Sequence, residues 1–377
     1  MVISLSGLQN MKAMKNKLTY TNTDQDFLLE LNNRVQAYFR NEGLSKYGNQ
    51  SLYIKAAVLF LLYLGSYMLL FFSGSLSQLY FCYAVMGPLT VFLALNIGHE
   101  AAHHIFTKNK KWNNLLVYVF DFMGASSKIW TYKHVHSHHQ HTNVHKVDLE
   151  LKQPSIVRIF PQSCYKFFHR YQQYYMPLLY SIYTLVWFCF RDYKDFFDLR
   201  EKMTKGQLVK EGLQFFGSKV FCMSRMLVIP ALILPFNCWE ILAGFLLSNV
   251  IASITVTFAL ISTHVGEHSE FPEPDDTGSL GHSWVRHQFM TTSDFSTDSR
   301  IVTELYGGFN HHLTHHLFPY ISHVHYPKVT KIIREVSKDY NFVTHPQPTI
   351  LFAVRSHFRL LKQRAVEGRG QLEWMEM

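Results

Sequence analysis

The sequence predicts an all-α integral membrane protein with four transmembrane helices arranged as two hairpins. Charged residues make up only 17% of the 377 residues, whereas globular proteins have about a quarter. Hydrophobic residues make up 48%, and four apolar stretches approach the roughly 20 residues that a bilayer-spanning helix needs. This composition excludes an intrinsically disordered chain and a coiled coil, because both require a polar or heptad-patterned sequence.

The predicted spans form two pairs with short connections. They lie at about 54–72, 77–98, 221–237 and 239–261. The connection within each pair contains no Lys or Arg, while residues 191–219 contain seven. Because positively charged loops remain in the cytoplasm, we expect both termini and all long loops on that side.

The domain boundaries follow from these spans. We expect a cytoplasmic N-terminal segment at 1–50, a membrane domain at 51–362 and a mobile C-terminal tail at 363–377. A fifth apolar run, at about 174–190, contains Pro177 and is rich in tyrosines, which anchor helices at a membrane interface. We interpret it as an interfacial helix, because a further crossing would place the first and third histidine clusters on opposite sides of the membrane.

The distribution of histidine is the most unusual feature of the chain. Of 22 histidines, 13 lie in the three windows 99–104, 134–145 and 311–316, which together hold 24 residues. An even distribution would place about 1.4 histidines in those windows. The concentration indicates a functional site rather than chance.

The spacing of these histidines points to metal binding. His99 and His103 are four residues apart, which places both on one face of a helix, and His134 and His138 repeat that spacing. Neutral imidazole is a favoured ligand of iron, zinc, copper and nickel. Eight histidines from three clusters are too many for one four-coordinate zinc ion, so the pattern predicts two metal ions.

Further candidates lie outside the three clusters. His264 is at the end of the last predicted span, where an ionisable residue is a functional candidate, although it is also a common position for a histidine that faces lipid headgroups. His287 and Gln288 are weaker candidates for contacts with the ligands or the substrate. Three more residues are expected to support ligands or to be solvated: His136, His141 and His145.

Two other classes of protein share part of this pattern. His99 to His103 also spells HExxH, the zinc motif of metallopeptidases. Such intramembrane enzymes commonly take a further ligand from a Leu-Asp-Gly motif, which this chain lacks, and the other two clusters would have no role. A metal transporter should carry polar residues through the membrane, but residues 56–72 and 239–261 offer few beyond Ser, Thr and Asn249.

With these motifs, the sequence resembles the membrane fatty acyl desaturases, which carry three histidine boxes. The boxes match His99/His103, His134/His138/His139 and His312/His315/His316. The flanking phrases are also similar: Thr142-Asn143 after the second box, Gly307-Gly308-Phe309-Asn310 before the third, and Leu317-Phe318-Pro319 after it. The resemblance extends over residues 50–360.

This resemblance implies a four-helix membrane domain with a cytoplasmic helical cap that carries the boxes and holds a non-haem di-iron centre. The implied iron ligands are His99, His103, His134, His138, His139, His264, His312, His315 and His316. The implied reaction is oxygen-dependent introduction of a double bond into a long acyl chain, carried by coenzyme A or by a lipid, with O2 as co-substrate. An alternative is a di-iron hydroxylase or ketolase, because the boxes do not decide between removing a second hydrogen and adding oxygen.

The resemblance also implies partners. The phrases around the third box are closest to the front-end and acyl-lipid branch, which commonly has glutamine in place of His312, so the position of the double bond stays open. The His-Pro-Gly-Gly motif of a fused cytochrome b5 domain is absent from the sequence. We therefore expect electrons from a separate carrier, either ferredoxin or cytochrome b5 with its reductase. The bilayer and an acyl chain held in an apolar tunnel are the other expected partners, and no nucleic acid is expected.

Overall fold

A computed structural model describes residues 18–201 and 203–375, and most of them are helical. The start of the predicted N-terminal segment (1–17) and the last two residues of the predicted tail lie outside the described residues. The helices are α1 (Gln25–Asn41), α2 (Gln50–Leu70), α3 (Leu76–Ala102), α4 (Lys110–Leu116), α5 (Val119–Phe122), α6 (Ser127–Thr131), α7 (Gln172–Ser181), α8 (Tyr183–Val186), α9 (Asp192–Arg200), α10 (Lys205–Ile233), α11 (Cys238–Thr263), α12 (Trp284–Thr291), α13 (Arg300–Leu305), α14 (His312–Leu317), α15 (Tyr326–Asp339) and α16 (Ile350–Met375). Two short strands, β1 (Thr19–Thr21) and β2 (Ser279–Ser283), pair in parallel.

Four helices, α2, α3, α10 and α11, are long and apolar enough to cross a membrane. The prediction of a helical protein with four such segments is therefore confirmed. Helix α10 begins at Lys205, well before the predicted start of the third span at 221. The earlier start has a local cause, because the Thr204 side chain accepts a hydrogen bond from Gln207 N and the Gln207 side chain accepts one from Thr204 N.

Helices α3 and α11 pack closely through small residues. A Cβ atom on Gly87 would lie 2.6 Å from the carbonyl oxygen of Ser248, and one on Gly244 would collide with the Tyr83 ring. Only glycine lets the two backbones approach this far. The close packing fixes the end of α3, which carries His99, relative to the end of α11.

Short π-helical turns interrupt the regular helices. One lies inside α3 (Ala94–Gly98), one follows α6 (Tyr132–His138), one follows α8 (Trp187–Arg191) and one lies inside α10 (Ser224–Val228). Such turns occur frequently at functional sites. Two of the four immediately precede or contain histidines of the first and second boxes.

The predicted interfacial segment at 174–190 is a broken helix. It consists of α7, α8 and the π-turn that follows α8, and it is not one of the four long apolar helices. The Thr184 hydroxyl hydrogen-bonds Asn249 O at 3.0 Å and Ser253 Oγ at 2.8 Å. This segment therefore packs on α11, while Tyr174 and Leu178 remain exposed on its other side.

The C-terminal part of the described chain is helical. Helix α16 continues to Met375, so most of the predicted tail at 363–377 is helical. Arg364 is buried and donates from Nε to Ile159 O at 2.9 Å, while its own carbonyl accepts from Arg158 Nη1 at 2.6 Å. These long-range contacts leave no signal in the charged local sequence, so the helix cannot be predicted from that sequence.

Candidate metal centre

The structure brings all nine histidines implied as ligands to one end of α3 and α11. Two groups of four each offer ring nitrogens that lie within 4.8 Å of one another. The first group is His99, His103, His134 and His315, and the second is His138, His264, His312 and His316. The ninth, His139, lies between them, with its ring 4.5 Å from that of His315 and 4.4 Å from that of His316.

The π-turn at Tyr132–His138 explains how the second box serves both groups. Its characteristic hydrogen bond runs from His139 N to His134 O, five residues back, at 3.2 Å. His139 therefore stands beside His134, and their Nε2 atoms are 3.2 Å apart. His138 turns instead toward His264. The His134 and His138 rings still stack, with centroids 5.6 Å apart, but they belong to different groups.

In the first group, several nitrogens converge on His134. Its Nε2 lies 3.0 Å from His99 Nε2 and 3.4 Å from His315 Nε2, in addition to the contact with His139. A ring nitrogen carries either one hydrogen or one lone pair, so these three contacts cannot all be hydrogen bonds. A bound cation would satisfy the converging lone pairs.

In the second group, hydrogen bonds fix which nitrogens carry lone pairs. His264 Nδ1 donates to Thr291 O at 3.0 Å, and His138 Nδ1 donates to Asp148 Oδ2 at 2.9 Å. In the neutral rings, Nε2 therefore carries the lone pair, and these two Nε2 atoms face each other at 3.1 Å. His312 Nε2 is a further neighbour, 2.7 Å from His264 Nε2.

The protonation state of four of these rings suits metal binding. Burial lowers the pKa of His264 to about 3 and holds the pKa of His103, His312 and His315 well below the ordinary value. Neutral imidazole is the form that binds a metal.

The distances between the ring nitrogens also suit metal binding. Nitrogens about 2.1 Å from one ion, at angles of about 90–110°, lie about 3.0–3.4 Å apart. Four of the five nitrogen–nitrogen distances given above fall in that range, and only the 2.7 Å between His264 and His312 is shorter. The residues therefore fit two nitrogen-ligated metal ions.

A second set of residues orients the ligands. Besides Asp148 and Thr291, the Tyr326 hydroxyl lies 3.1 Å from His315 Nδ1, and Gln288 Oε1 accepts from His316 Nδ1 at 2.8 Å. Such partners fix the ring orientation and the tautomer of a metal ligand. Of these, only Gln288 is a candidate from the sequence. The other three belong to segments without a recognisable motif and become adjacent to the ligands only in the fold.

The remaining sequence candidates lie outside both groups. His287 donates from Nε2 to Thr142 O at 2.7 Å, so it supports the segment after the second box. His141 Nδ1 is 3.4 Å from the Tyr20 hydroxyl, and His145 Nε2 is 3.4 Å from Ser163 Oγ. His136 is exposed, with its ring 6.1 Å from that of Tyr132.

The glutamate of the HExxH sequence does not face the metal centre. Glu100 is buried, and its carboxylate accepts hydrogen bonds from Ser322 Oγ at 2.6 Å and from His323 N at 3.0 Å. The general base of a zinc peptidase must reach a metal-bound water. Glu100 instead ties α3 to the segment that follows the third box, which argues against the peptidase.

Two glycines shape the approach to the third box. Gly307 and Gly308 have φ angles of +58° and +71°, and a Cβ atom on Gly308 would lie 2.5 Å from His323 Cβ.

We predict that Gly308→Ala destabilises the fold by about 1–3 kcal/mol, through strain and overpacking. The thermal unfolding midpoint in detergent tests this, with Gly65→Ala as control, because Gly65 has open space around it. Equal midpoints for the two variants would refute the prediction.

A long, mostly apolar cavity reaches both groups of histidines. It has a volume of about 270 Å³, and its wall includes His134 of the first group and His138, His264 and His312 of the second. Away from the histidines it continues between α3, α10 and α11. A cavity of this shape suits an extended apolar ligand that passes the metal centre.

Comparisons with known proteins agree with this geometry. Residues 75–348 match the model of the fatty acid desaturase family. A "sn-1 linoleoyl-lipid 6-desaturase" of Synechocystis sp. is 30% identical over 88% of this chain and 93% of its own length. An "Acyl-lipid (8-3)-desaturase" of Physcomitrium patens is 29% identical over 93% of this chain and 74% of its own. Another "sn-1 linoleoyl-lipid 6-desaturase", of Arthrospira platensis, is 27% identical over 90% and 93%.

The family match covers most of the described chain, including the three histidine boxes and α3, α10 and α11. The similarity to the Synechocystis desaturase extends over nearly the full length of both proteins. This chain therefore belongs to the fatty acid desaturase family and is an oxidoreductase that introduces a double bond into a fatty acyl chain.

Proposed function

We propose that this protein is a front-end acyl-lipid desaturase with a di-iron centre, which receives its electrons from a separate carrier. The observation that carries the proposal is the apolar cavity whose wall includes ligand candidates from both histidine groups. An acyl chain in that cavity would pass directly beside both metal positions. The names of the relatives support a lipid-bound substrate and a double bond on the carboxyl side of the chain.

The two irons would be held by the nine histidines implied by the resemblance. His99, His103, His134 and His315 would hold one ion, and His138, His264, His312 and His316 the other, with His139 completing the first site beside His134. When bound, the iron pair supplies the oxidising power that removes hydrogen from an unactivated methylene with O2. His312 would be a ligand here, which accounts for a histidine where the acyl-lipid branch commonly has glutamine.

The protein residues contribute position and a dry environment. The Phe309 ring lies 4.2 Å from that of His312 and forms part of the cavity wall beside the metal centre. Trp130 stacks on His134, with ring centroids 4.6 Å apart, and also lines the cavity. These apolar surfaces exclude water and hold the acyl chain against the ligands, with each buried methylene contributing about 0.8 kcal/mol.

The proposed topology follows the charge distribution. We propose that the pairs α2–α3 and α10–α11 are two hairpins in a membrane domain at 51–362, and that the histidine-bearing segments form a cytoplasmic cap. The basic residues at 191–219 support this orientation. The N-terminal segment at 1–50 and the C-terminus would then lie on the cytoplasmic side, where a ferredoxin or cytochrome b5 can reach the centre.

The proposal is tested by expressing the chain in a yeast and analysing its lipids by mass spectrometry after derivatisation of double bonds. We expect new polyunsaturated chains with the added double bond between the carboxyl group and an existing one, enriched in phospholipids rather than in acyl-CoA. An alcohol or ketone product would favour the hydroxylase or ketolase, and a double bond on the methyl side would refute the front-end assignment.

Filling the cavity should block the reaction without unfolding the protein. Ala94 is half-buried and lines the cavity near the first histidine group, so we predict that Ala94→Phe lowers desaturation at least tenfold, because the ring displaces several methylenes of substrate. Ala57→Phe on the exposed side of α2 is the matched control. Product formation per unit of folded protein is the measurement, and equal activity of both variants would contradict the assignment of the cavity.

A further inference from the structure

A buried arginine without a counter-ion lies inside α10. Arg225 is 8% exposed, and no Asp or Glu among the described residues lies within the 4.0 Å of an ion pair. Its guanidinium donates instead to the Tyr63 hydroxyl and, at 3.2 Å, to Phe122 O, and it stands 4.3 Å from the centre of the Phe122 ring. A charge in a membrane-spanning helix is costly and by default marks a functional position.

Hydrogen bonds join α2 and α3 to α10 next to Arg225. Two carbonyl groups of the π-turn in α10 accept these bonds. Arg225 O accepts from the Tyr67 hydroxyl at 3.0 Å, and Met226 O accepts from the Tyr83 hydroxyl at 2.6 Å. These bonds hold α2 and α3 against α10. We call the residues that form them, together with Arg225 and Tyr63, the polar layer.

The acyl cavity reaches this polar layer. Tyr63, Arg225 and Met226 all line it. On α11 its wall follows one face of the helix from His264 at the metal centre, through Thr257, Ala252 and Ser248, to Phe245. His264 and Phe245 are 19 positions apart, which corresponds to about 28 Å along the helix. A straight chain advances about 1.25 Å per carbon for C–C bonds of about 1.5 Å, so at most about 22 carbons fit between the metal centre and the polar layer.

We propose that Arg225 and Tyr63 form the floor of the acyl cavity and set the longest chain that the enzyme accepts. This inference rests on the proposed function, because it requires that the cavity holds the acyl chain. Above the floor the wall is mostly apolar, and each accommodated methylene should raise binding about fourfold. A longer chain has to displace Tyr63 from the guanidinium, which leaves a buried charge with fewer partners.

Substitutions at two depths test the floor. Ser248 lies about one turn nearer the metal centre than Phe245, so Ser248→Phe should raise the floor by about 5 Å and shorten the preferred chain by about four carbons. Arg225→Met removes the charge but keeps an extended side chain, and it should relax the penalty on longer chains. Leu246→Phe is the matched control, because Leu246 is 40% exposed on another face of α11.

The first measurement is the thermal unfolding midpoint of the purified protein with phosphatidylcholines of graded chain length. A lipid that binds raises this midpoint, and the measurement does not depend on catalysis. We expect the optimum to shift to shorter chains in Ser248→Phe, to broaden toward longer chains in Arg225→Met, and to stay unchanged in Leu246→Phe. The same length profile in all variants would overturn the floor. Desaturation of fatty acids of graded length in the expressing yeast is measured in parallel, and stabilisation without any desaturated product would count against the proposed function instead.

Discussion

Replacing His264 by alanine is expected to abolish desaturation and to release one of two bound irons. His264 Nε2 faces His138 Nε2 at 3.1 Å and His312 Nε2 at 2.7 Å, so it is the central nitrogen of the second histidine group. Its removal leaves this ion with too few ligands, while the first group keeps all of its own. Iron content and product formation of the purified variant are the measurements.

The control for this prediction is His268→Ala. His268 is four residues further along, and its side chain is 50% exposed, so its loss should leave iron content and activity unchanged. If His264→Ala keeps two irons and full activity, the second site does not exist as described. If it loses both irons, the two groups are not independent sites, and a single shared cluster has to be considered.

The second large effect is expected at Asp148, a residue that belongs to no recognisable sequence motif. Its carboxylate accepts from His138 Nδ1 at 2.9 Å and from Asn143 N at 3.0 Å. Burial would raise the pKa of Asp148, but His138 and these hydrogen bonds hold it below the ordinary value. The charge that fixes the His138 tautomer is therefore present at neutral pH. We predict that Asp148→Asn lowers metal affinity or activity by roughly 10–100-fold.

Iron retention against a chelator, compared with the rate of product formation, measures this effect. Asp298→Asn is the control, since Asp298 is exposed on the surface. A variant at Asp148 that retains iron and activity like the control would show that His138 needs no carboxylate to orient it. A variant that fails to fold would be recognised by loss of the monodisperse peak in size-exclusion chromatography, and Asp148→Glu then serves to restore the charge.

Much of the architecture is predictable because it depends on simple patterns. Apolar stretches near the required length predict the four long helices, and the number and spacing of the histidines predict two metal ions. His264 is a candidate because an ionisable residue at the end of an apolar helix is unusual. The structure places it 2.7 Å from His312, among the ligands that the resemblance implies.

The features that escape prediction depend on contacts distant in sequence or on non-standard helix geometry. His134 and His138 fall in different histidine groups despite their spacing, because a π-turn also places His139 beside His134. Helix α16 includes most of the predicted tail, and Arg364 in this helix donates a hydrogen bond to Ile159 O, about two hundred residues earlier in the chain. Arg225 lies in a run that has the composition of an ordinary span, and only the fold shows that it lines the cavity.

The most direct test of the central claim is the metal content and Mössbauer spectrum of detergent-purified protein from cells grown with iron-57. We expect two magnetically coupled, nitrogen-ligated irons per chain, one in each histidine group. One tightly bound zinc ion and no iron would contradict it, and would make the HExxH sequence at His99–His103 the relevant site after all.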